Sequence, residues 1–304
     1  MIASVCPNPS VDTLIWVSSF EPGQVHRVQR EQRFPGGKGV HVAMAVAALE
    51  SPSTLYGIWG GATGQWIRES CSAMGVSCQG VETEDWNRTC LTFKSETALD
   101  DTELLGCGPV VGADVVATFT SEILDCTTSG DAITLSGSWP TGVPGDAYAQ
   151  LIMRINERGA RAFLDCTGNQ LTHALAQKPY CVHLNLSEAQ AALGTRDPLL
   201  SVRALSGHCT LAIVTNGADG AWFGFEGRVV RAQLNVDVSC SAVGSGDCLM
   251  AGVTVSSDRG DTFETLVRRG AACGAANCLR PELGMLNKAD VDHLFAKCEV
   301  EELS

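Results

Sequence analysis

The sequence is short of positive charge. Its 304 residues carry 21 Lys and Arg against 34 Asp and Glu, which gives a net charge of −13 at pH 7. Because nucleic acids and anionic membrane surfaces bind basic faces, this balance argues against both as general partners. A small anionic substrate is still allowed, since a local cluster of Arg and Lys can outweigh the overall charge. We therefore expect a small-molecule ligand, with no nucleic-acid or membrane partner.

Long apolar runs and closely paired cysteines are also missing. No uninterrupted apolar stretch approaches the roughly 20 residues that span a bilayer. The N-terminal segment lacks both the basic and the apolar part of a secretory signal, so we expect none. The 14 cysteines are scattered from Cys6 to Cys298, and no two are spaced C-x-x-C. We expect free thiols in a reducing cytoplasm, many of them serving as small core residues.

What the sequence does have is alternation. After residue 109, strand-like runs alternate with helix-like patterns almost to the end of the chain. This order predicts an α/β fold with a mainly parallel sheet covered by helices on both faces. Ligands bind such sheets beyond the carboxyl ends of the strands. Several residues follow predicted strands and should converge there: Pro9, Gly137, Asp165, Asn185 and Gly217.

A second group of strands is expected to lie apart from the main sheet. Residues of about 13–33 and 76–107 read as short extended pieces, including an alternating segment that carries Arg27. We predict a small β-sheet lid over a pocket, through which two chains could pair as a homodimer. With no repeat or linker in the sequence, residues 1–304 are predicted to form a single domain.

Two glycine-rich segments are predicted to open helices. In Ser241–Gly252 (SAVGSGDCLMAG), Gly244 and Gly246 allow backbone amides to turn inward, and Asp247 would stand in the first helical turn. Such a helix start holds anions, and a carboxylate beside it can act as a base. The second segment, Phe34–His41 (FPGGKGVH), is not a P-loop, because its lysine is followed by glycine rather than Ser or Thr.

Eight short motifs occur in an order that resembles the ribokinase-like carbohydrate kinases, the PfkB family. They are N-P-x-x-D at 8–12, GGKG at 36–39, GG-x-x-G at 60–64, SGS-x-P-x-GVP at 136–144, N-x-x-E at 185–188, NGADGAW at 216–222, GSGD at 244–247 and AAN at 275–277. The resemblance implies a three-layer α/β/α sandwich with a β lid.

Within this family the chain looks most similar to the hexose-phosphate branch, represented by 1-phosphofructokinase and tagatose-6-phosphate kinase. The supporting segments are GQVHRV with Arg27, NRT with Arg88, and TELLGCGP at 102–109. The resemblance implies Mg²⁺-dependent transfer of the ATP γ-phosphoryl group to a primary hydroxyl of a hexose phosphate, in the first place fructose 1-phosphate. Tagatose 6-phosphate and an unphosphorylated sugar remain alternatives, as does a non-catalytic sugar-phosphate sensor.

The resemblance also implies roles for individual residues. Asp247 would be the base, and the amides of Gly244, Ser245 and Gly246 would face the transferring phosphoryl group. The sugar phosphate would be bound by Asp12, Gly37 and His41 and by a cationic clamp of Arg27, Lys38 and Arg88, of which one could come from a partner's lid. ATP would be bound by Asn185, Thr215, Gly217, Gly220 and Asn277, the last near the adenine, and Mg²⁺ by Asn185 and Glu188 through water. Asp165 is interpreted as a strand-end cap.

Departures from the branch concentrate on the sugar-binding side. His41 stands where Asn is usual, Cys90 and Thr92 replace an Asn and a Lys, and Leu105 replaces an Asn. Near the metal, the usual Lys-Pro-Asn reads His183-Leu184-Asn185. We therefore expect the reaction to be preserved better than the identity of the sugar.

Overall fold

The computed structural model describes residues 1–97, 99–238 and 241–303. Its strands are β1 (Ile2–Cys6), β2 (Ser10–Trp16), β3 (Arg30–Gly36), β4 (Thr54–Gly60), β5 (Ser77–Thr83), β6 (Arg88–Lys94), β7 (Thr102–Leu105), β8 (Ala132–Ser136), β9 (Arg161–Asp165), β10 (Cys181–Asn185), β11 (Leu211–Thr215), β12 (Ala221–Phe225), β13 (Arg228–Gln233) and β14 (Glu299–Leu303). Its helices are α1 (Lys38–Ala48), α2 (Gly61–Ala73), α3 (Ala113–Asp125), α4 (Ala147–Glu157), α5 (Gly168–Leu175), α6 (Leu186–Leu193), α7 (Pro198–Leu205), α8 (Ser245–Arg259), α9 (Phe263–Cys278) and α10 (Lys288–Lys297).

Strands from both halves of the chain form one large sheet. Within the described residues its order is β14-β13-β12-β11-β10-β9-β8-β1-β4-β5. The strands from β11 to β5 in this order pair in parallel, and β12, β13 and β14 extend the sheet with antiparallel pairs. The predicted α/β class with a mainly parallel sheet is confirmed.

Each parallel strand except the edge strand β5 is largely buried on both faces, because helices cover both. In β1, Ala3 and Val5 pack with α3 to α7, while Ile2 packs on the other side with α1, α8, α9 and α10. The same division recurs in β9, where Leu164 faces the first layer and Phe163 the second. Alternate side chains of a strand point to opposite faces, so two apolar cores form, one on each side of the sheet. The predicted three-layer sandwich is confirmed.

The second sheet is small and lies over the carboxyl ends of the first. Its order is β3-β2-β6-β7. Ser10 and Asp12 of β2 point into a large cavity, whereas Val11 and Thr13 between them line a separate outer groove. The strand period of two therefore gives this sheet one polar face toward the site and one more apolar outer face.

The boundaries of the small sheet differ from the prediction in two places. The segment 77–83, expected in the lid, is β5 and pairs in parallel with β4 of the large sheet over seven residues. Helix α2 connects the two strands and packs on both, which favours a β-α-β unit. The segment around Arg27, expected as a strand, is a loop before β3, because its alternation has no core to face; Val25 is 96% exposed.

Three further features complete the fold. β14 was not predicted from the sequence; it adds to β13, where Glu302 pairs with Arg228 at 3.0 Å. The 13 cysteines among the described residues are all free thiols, as expected, and Cys240 lies outside those residues. None of the helices found within residues 1–97, 99–238 and 241–303 combines the length and apolar character needed to cross a membrane.

Candidate active site

One cavity of about 1280 Å³ lies between the carboxyl ends of the parallel strands and the inner face of the small sheet. This volume exceeds the upper end of the range typical for a single small ligand and leaves room for two. Most residues predicted for the site line it: Asp12, Gly37, Lys38, His41, Arg88, Asn185, Glu188, Thr215, Gly217, Gly220, Gly244, Ser245, Gly246 and Asp247. Arg27 and Asn277 do not line it.

The start of α8 projects into the middle of this cavity. Gly244 caps the helix in the left-handed region at φ 87°, and no side chain caps the first turn. A Cβ on Gly244 would lie 2.5 Å from the backbone of Gly284, so the loop requires glycine here for space as well as for conformation. The amide of Ser245 donates to the Ala242 carbonyl at 3.1 Å, whereas that of Gly246 makes no hydrogen bond within the described part of the chain.

Asn277 supports this loop from below. It is fully buried, and its Nδ2 donates to the Val243 carbonyl and to Ser245 Oγ, both at 3.0 Å. Its Oδ1 accepts the Met285 amide at 3.0 Å. The side chain is thus occupied in holding the loop at the start of α8, and its nearness to adenine stays a prediction.

Asp247 lies beside two other buried side chains, His41 and Asp12, at the side of the cavity next to the small sheet. His41 Nδ1 donates to Asp247 Oδ2 at 2.8 Å, and His41 Nε2 lies 3.4 Å from Asp12 Oδ2. Burial alone would lower the pKa of His41, but the two carboxylates raise it to about 10. Burial raises the pKa of Asp247, and His41 acts against that shift. The geometry thus places one histidine ring between two buried carboxyl groups, and its raised pKa favours the imidazolium form.

A second group of charged side chains lies at the carboxyl ends of β9 and β10. Lys38 Nζ donates to Asp165 Oδ1 at 2.5 Å and lies 3.3 Å from Glu188 Oε1. His183 Nδ1 lies 2.7 Å from the other oxygen of Asp165, and His183 Nε2 lies 3.1 Å from Thr215 Oγ1. Burial would raise the pKa of Asp165, but Lys38 and His183 hold it well below its usual range.

Sequence reasoning underestimated this group. Asp165 was expected only to cap a strand end, yet it is 1% exposed and joins two side chains from separate elements. His183 was noted only as a departure from the family pattern. A Cβ on Gly246 would lie 2.8 Å from its ring, so His183 lies directly against the start of α8. The available signal was position, since both residues occupy or precede the carboxyl ends of neighbouring parallel strands.

The inner face of the small sheet forms one end of the cavity. Arg88 Nε donates to the Asn8 carbonyl at 3.2 Å and its Nη1 to the Gly106 carbonyl at 3.3 Å, so the guanidinium is held by backbone. Glu103 faces the same space, and burial raises its pKa. The residues that depart from the hexose-phosphate branch all line this cavity: His41, Cys90, Thr92 and Leu105. Arg27 is exposed in the loop before β3.

Asn185 and Glu188 form the N-terminal capping box of α6. Asn185 Oδ1 accepts the Glu188 amide at 2.9 Å, and Glu188 Oε2 accepts the Asn185 amide at 2.8 Å. No cluster of three or more His, Cys, Asp and Glu suited to holding a metal directly occurs among the described residues. Because the nearest oxygens already accept protein hydrogen bonds, this pair suits a cation that keeps its waters, as Mg²⁺ does.

The site combines an anion-binding helix start, a buried carboxylate beside it and a cavity large enough for two ligands. These are the parts of an α/β phosphotransferase, in which positioning and electrostatics supply most of the catalysis. The profile of the pfkB family carbohydrate kinases matches residues 8–289. The chain therefore belongs to this family of sugar kinases, as its motif order indicated.

Solved structures agree with this assignment. Phosphofructokinase-2 of Escherichia coli in complex with fructose-6-phosphate is 26% identical, with a TM-score of 0.87 over 97% of this chain and 98% of that one. A Thermotoga maritima protein described as a possible 1-phosphofructokinase is 23% identical, with a TM-score of 0.86 over the full length of both chains. An Agrobacterium tumefaciens protein provisionally described as a ribokinase is 14% identical, with a TM-score of 0.76 over 97% of each. The last two likenesses concern the fold alone, which is ribokinase-like.

The crowding at Gly244 leads to a first prediction. Gly244→Ala and Gly260→Ala both place alanine at positive φ, at opposite ends of α8, and should each lose about 1–2 kcal/mol of unfolding free energy. Only Gly244→Ala also meets the Gly284 backbone, whereas the space around Gly260 is open. We expect kcat to fall about 100-fold in Gly244→Ala alone, because the amides that follow are displaced. Equal kcat values in the two variants, measured by ADP release, would contradict this.

Proposed function

We propose that the protein transfers the γ-phosphoryl group of ATP to a primary hydroxyl of a hexose phosphate. The first candidate for this acceptor is fructose 1-phosphate, which would give fructose 1,6-bisphosphate. The observation that carries this proposal is the buried Asp247 at the start of α8, between an acceptor end that holds Arg88 and a nucleotide end that holds Thr215 and Gly217.

The side chains suit one in-line transfer. Asp247 takes the proton of the acceptor hydroxyl while the oxygen of that hydroxyl bonds to the γ-phosphorus. The bond from the γ-phosphorus to the bridging oxygen breaks, and ADP leaves with both electrons of that bond. The amide of Gly246 donates toward the charge that develops on the phosphoryl oxygens, and Lys38 lies close enough to add a positive charge.

The nucleotide end fits ATP. Gly217 has open space where a Cβ would stand, so its backbone can approach phosphates closely. Small and apolar side chains of α9 line the far end and suit a purine ring: Ala271, Ala275 and Cys278. Glu188 and Asn185 would hold Mg²⁺ through water, and the ion would supply positive charge to the phosphates.

Arg88 is the residue on which the phosphorylated acceptor depends. It lines the acceptor end, and backbone carbonyls fix its guanidinium through Nε and Nη1, which leaves donors for a phosphate. Arg88→Ala should raise the KM for the sugar phosphate at least tenfold while changing kcat much less, as measured in initial-rate assays. Arg33→Ala, which removes an exposed arginine of the same sheet, is the matched control. A KM equal to that of the wild type would remove Arg88 from the clamp.

An unphosphorylated sugar is the second candidate, and one observation favours it. Of the three cations expected in the clamp, Lys38 is paired with Asp165 and Glu188, and Arg27 lies outside the cavity of this chain. Asp12 and Glu103 instead offer carboxylates to sugar hydroxyls. For a phosphorylated acceptor, a second cation such as Arg27 would then have to come from a partner chain.

An ADP-release screen with Mg²⁺ and ATP separates these candidates. Fructose 1-phosphate, tagatose 6-phosphate, fructose 6-phosphate and the corresponding free sugars should be compared by kcat/KM. Turnover of fructose 1-phosphate above all others is the expected result. Turnover of a free sugar alone would refute the phosphate clamp, and binding of a sugar phosphate without any turnover would indicate a sensor.

The proposed homodimer would form through the outer face of the small sheet. A groove there is lined by Val11, Ile15, Trp66 and Trp86, and Trp86 is 64% exposed. Apolar exposure of this kind is typical of a protein interface. Sedimentation of the wild type and of Trp86→Glu tests it, with a dimer expected only for the wild type.

A further inference from the structure

His41 is held in place more tightly than a residue that merely lines a pocket. Its ring is 3% exposed and lies between α1, the start of α8 and the loop that precedes α10. A Cβ on Gly284 would fall 2.1 Å from Cγ of His41, and one on Gly244 would fall 3.5 Å from Nδ1. Gly284 thus makes room for the ring, and Gly244 lies at ordinary contact distance on its other side.

Asp12, the second partner of His41, is fixed in the same way. Ser10 Oγ donates to Asp12 Oδ1 at 2.6 Å, and a Cβ on Gly36 would overlap the Asp12 carboxylate. Burial would raise the pKa of Asp12, but His41 holds it below its usual range. Asp12 and His41 therefore form a fixed pair between β2 and α1.

We propose that His41 is a positioning residue for the base: its imidazolium ties Asp247 to Asp12, so that the carboxylate on α8 is kept ionised and turned with Oδ1 toward the acceptor. This inference rests on the proposed function for its kinetic consequence only. His41 cannot itself be the base, because an imidazolium has no free lone pair. The link to Asp12 is an ion pair at 3.4 Å without good hydrogen-bond geometry, so the Nε2–H is still able to donate to an oxygen of the sugar acceptor near Asp12.

The charges around His41 determine the direction of the pH effect. The groups that face it or its two partners, from every element packed against them, are Asp12, Arg88, Glu103, Lys38, Asp165 and Asp247. Burial and the charge of Asp165 both raise the pKa of Asp247, whereas His41 and Lys38 lower it. Without the imidazolium charge only Lys38 remains to lower this pKa, which therefore rises. The base must be ionised, so its loss of activity on acidification should begin at a higher pH.

The kinetic test compares His41→Gln with His293→Gln, an exposed histidine on α10. At saturating ATP, Mg²⁺ and acceptor, the acid limb of the kcat profile should move upward by about one pH unit in His41→Gln. It should stay in place in His293→Gln. A purely structural role for His41 would lower kcat at all pH values without moving the limb, and an unmoved limb in a folded, active His41→Gln overturns the proposal.

A measurement without turnover covers the case in which His41→Gln is inactive. Nitrogen-15 spectra of histidine-labelled full-length protein, with the His41 signals assigned from His41→Gln, should show both ring nitrogens protonated at pH 8. In Asp247→Asn the same ring should lose its proton at a lower pH than in the wild type. A wild-type His41 that is neutral at pH 8 overturns the proposal. If no sugar or sugar phosphate is turned over while His41 remains a cation linked to Asp247, the proposed function is wrong but the positioning role of His41 is supported.

Discussion

Replacing Asp247 by Asn is expected to lower kcat by about three orders of magnitude while leaving the fold intact. Asn has almost the same shape, so the contact with His41 Nδ1 can persist, with the amide oxygen as acceptor. What the variant loses is the ability to accept the proton of the acceptor hydroxyl. Asp12, the other carboxylate beside His41, is already engaged by Ser10 and His41.

ADP release under saturating substrates measures this loss. Asp292→Asn removes an exposed acid of α10 and provides the control, with activity equal to that of the wild type. ATP affinity of Asp247→Asn should change little, because most of the proposed nucleotide contacts lie on β11, the loop after it and α9. Turnover close to that of the wild type would show that Asp247 is not the base.

The sequence predicted the main lines of the fold because they follow from local patterns. Alternation of strands and helices required a parallel sheet, and the carboxyl ends of its strands then had to share one edge. That reasoning predicted the convergence of Gly137, Asp165, Asn185 and Gly217, which all line one cavity. It failed at β5, because the residues of a short extended segment do not indicate which sheet the segment joins. Its place beside β4 depends on the packing of α2 on both strands.

The chemistry within the site was less predictable than its location. Gly36 and Gly284 leave space for the side chains of Asp12 and His41, and the sequence does not indicate which side chains these are. The contact of His41 with both Asp12 and Asp247 joins three elements that lie far apart along the chain. The contacts of Asn277 with Val243 and Ser245 were not predicted, because they depend on how the loop before α8 folds.

Asp165→Asn should be the most damaging change to stability among the charged residues of the site. The carboxylate is 1% exposed and accepts from Lys38 and His183, so its loss leaves two cationic or polar groups with a weaker partner in a buried place. Removing one member of a buried pair typically lowers the unfolding free energy by about 3 kcal/mol. Urea denaturation at pH 7 measures this, and Glu302→Gln, which breaks an exposed pair with Arg228, should leave the transition unchanged.

The pH dependence of that loss tests its electrostatic origin. Because the pKa of Asp165 is held below its unfolded value, its contribution is fully present above the unfolded pKa of about 3.9 and is lost as the pH falls. The difference in unfolding free energy between the wild type and Asp165→Asn should therefore be constant from pH 7 to pH 5 and narrow below pH ~4. A difference that stayed constant into the acid range would mean that the substitution acts through packing rather than through the charge shared with Lys38 and His183.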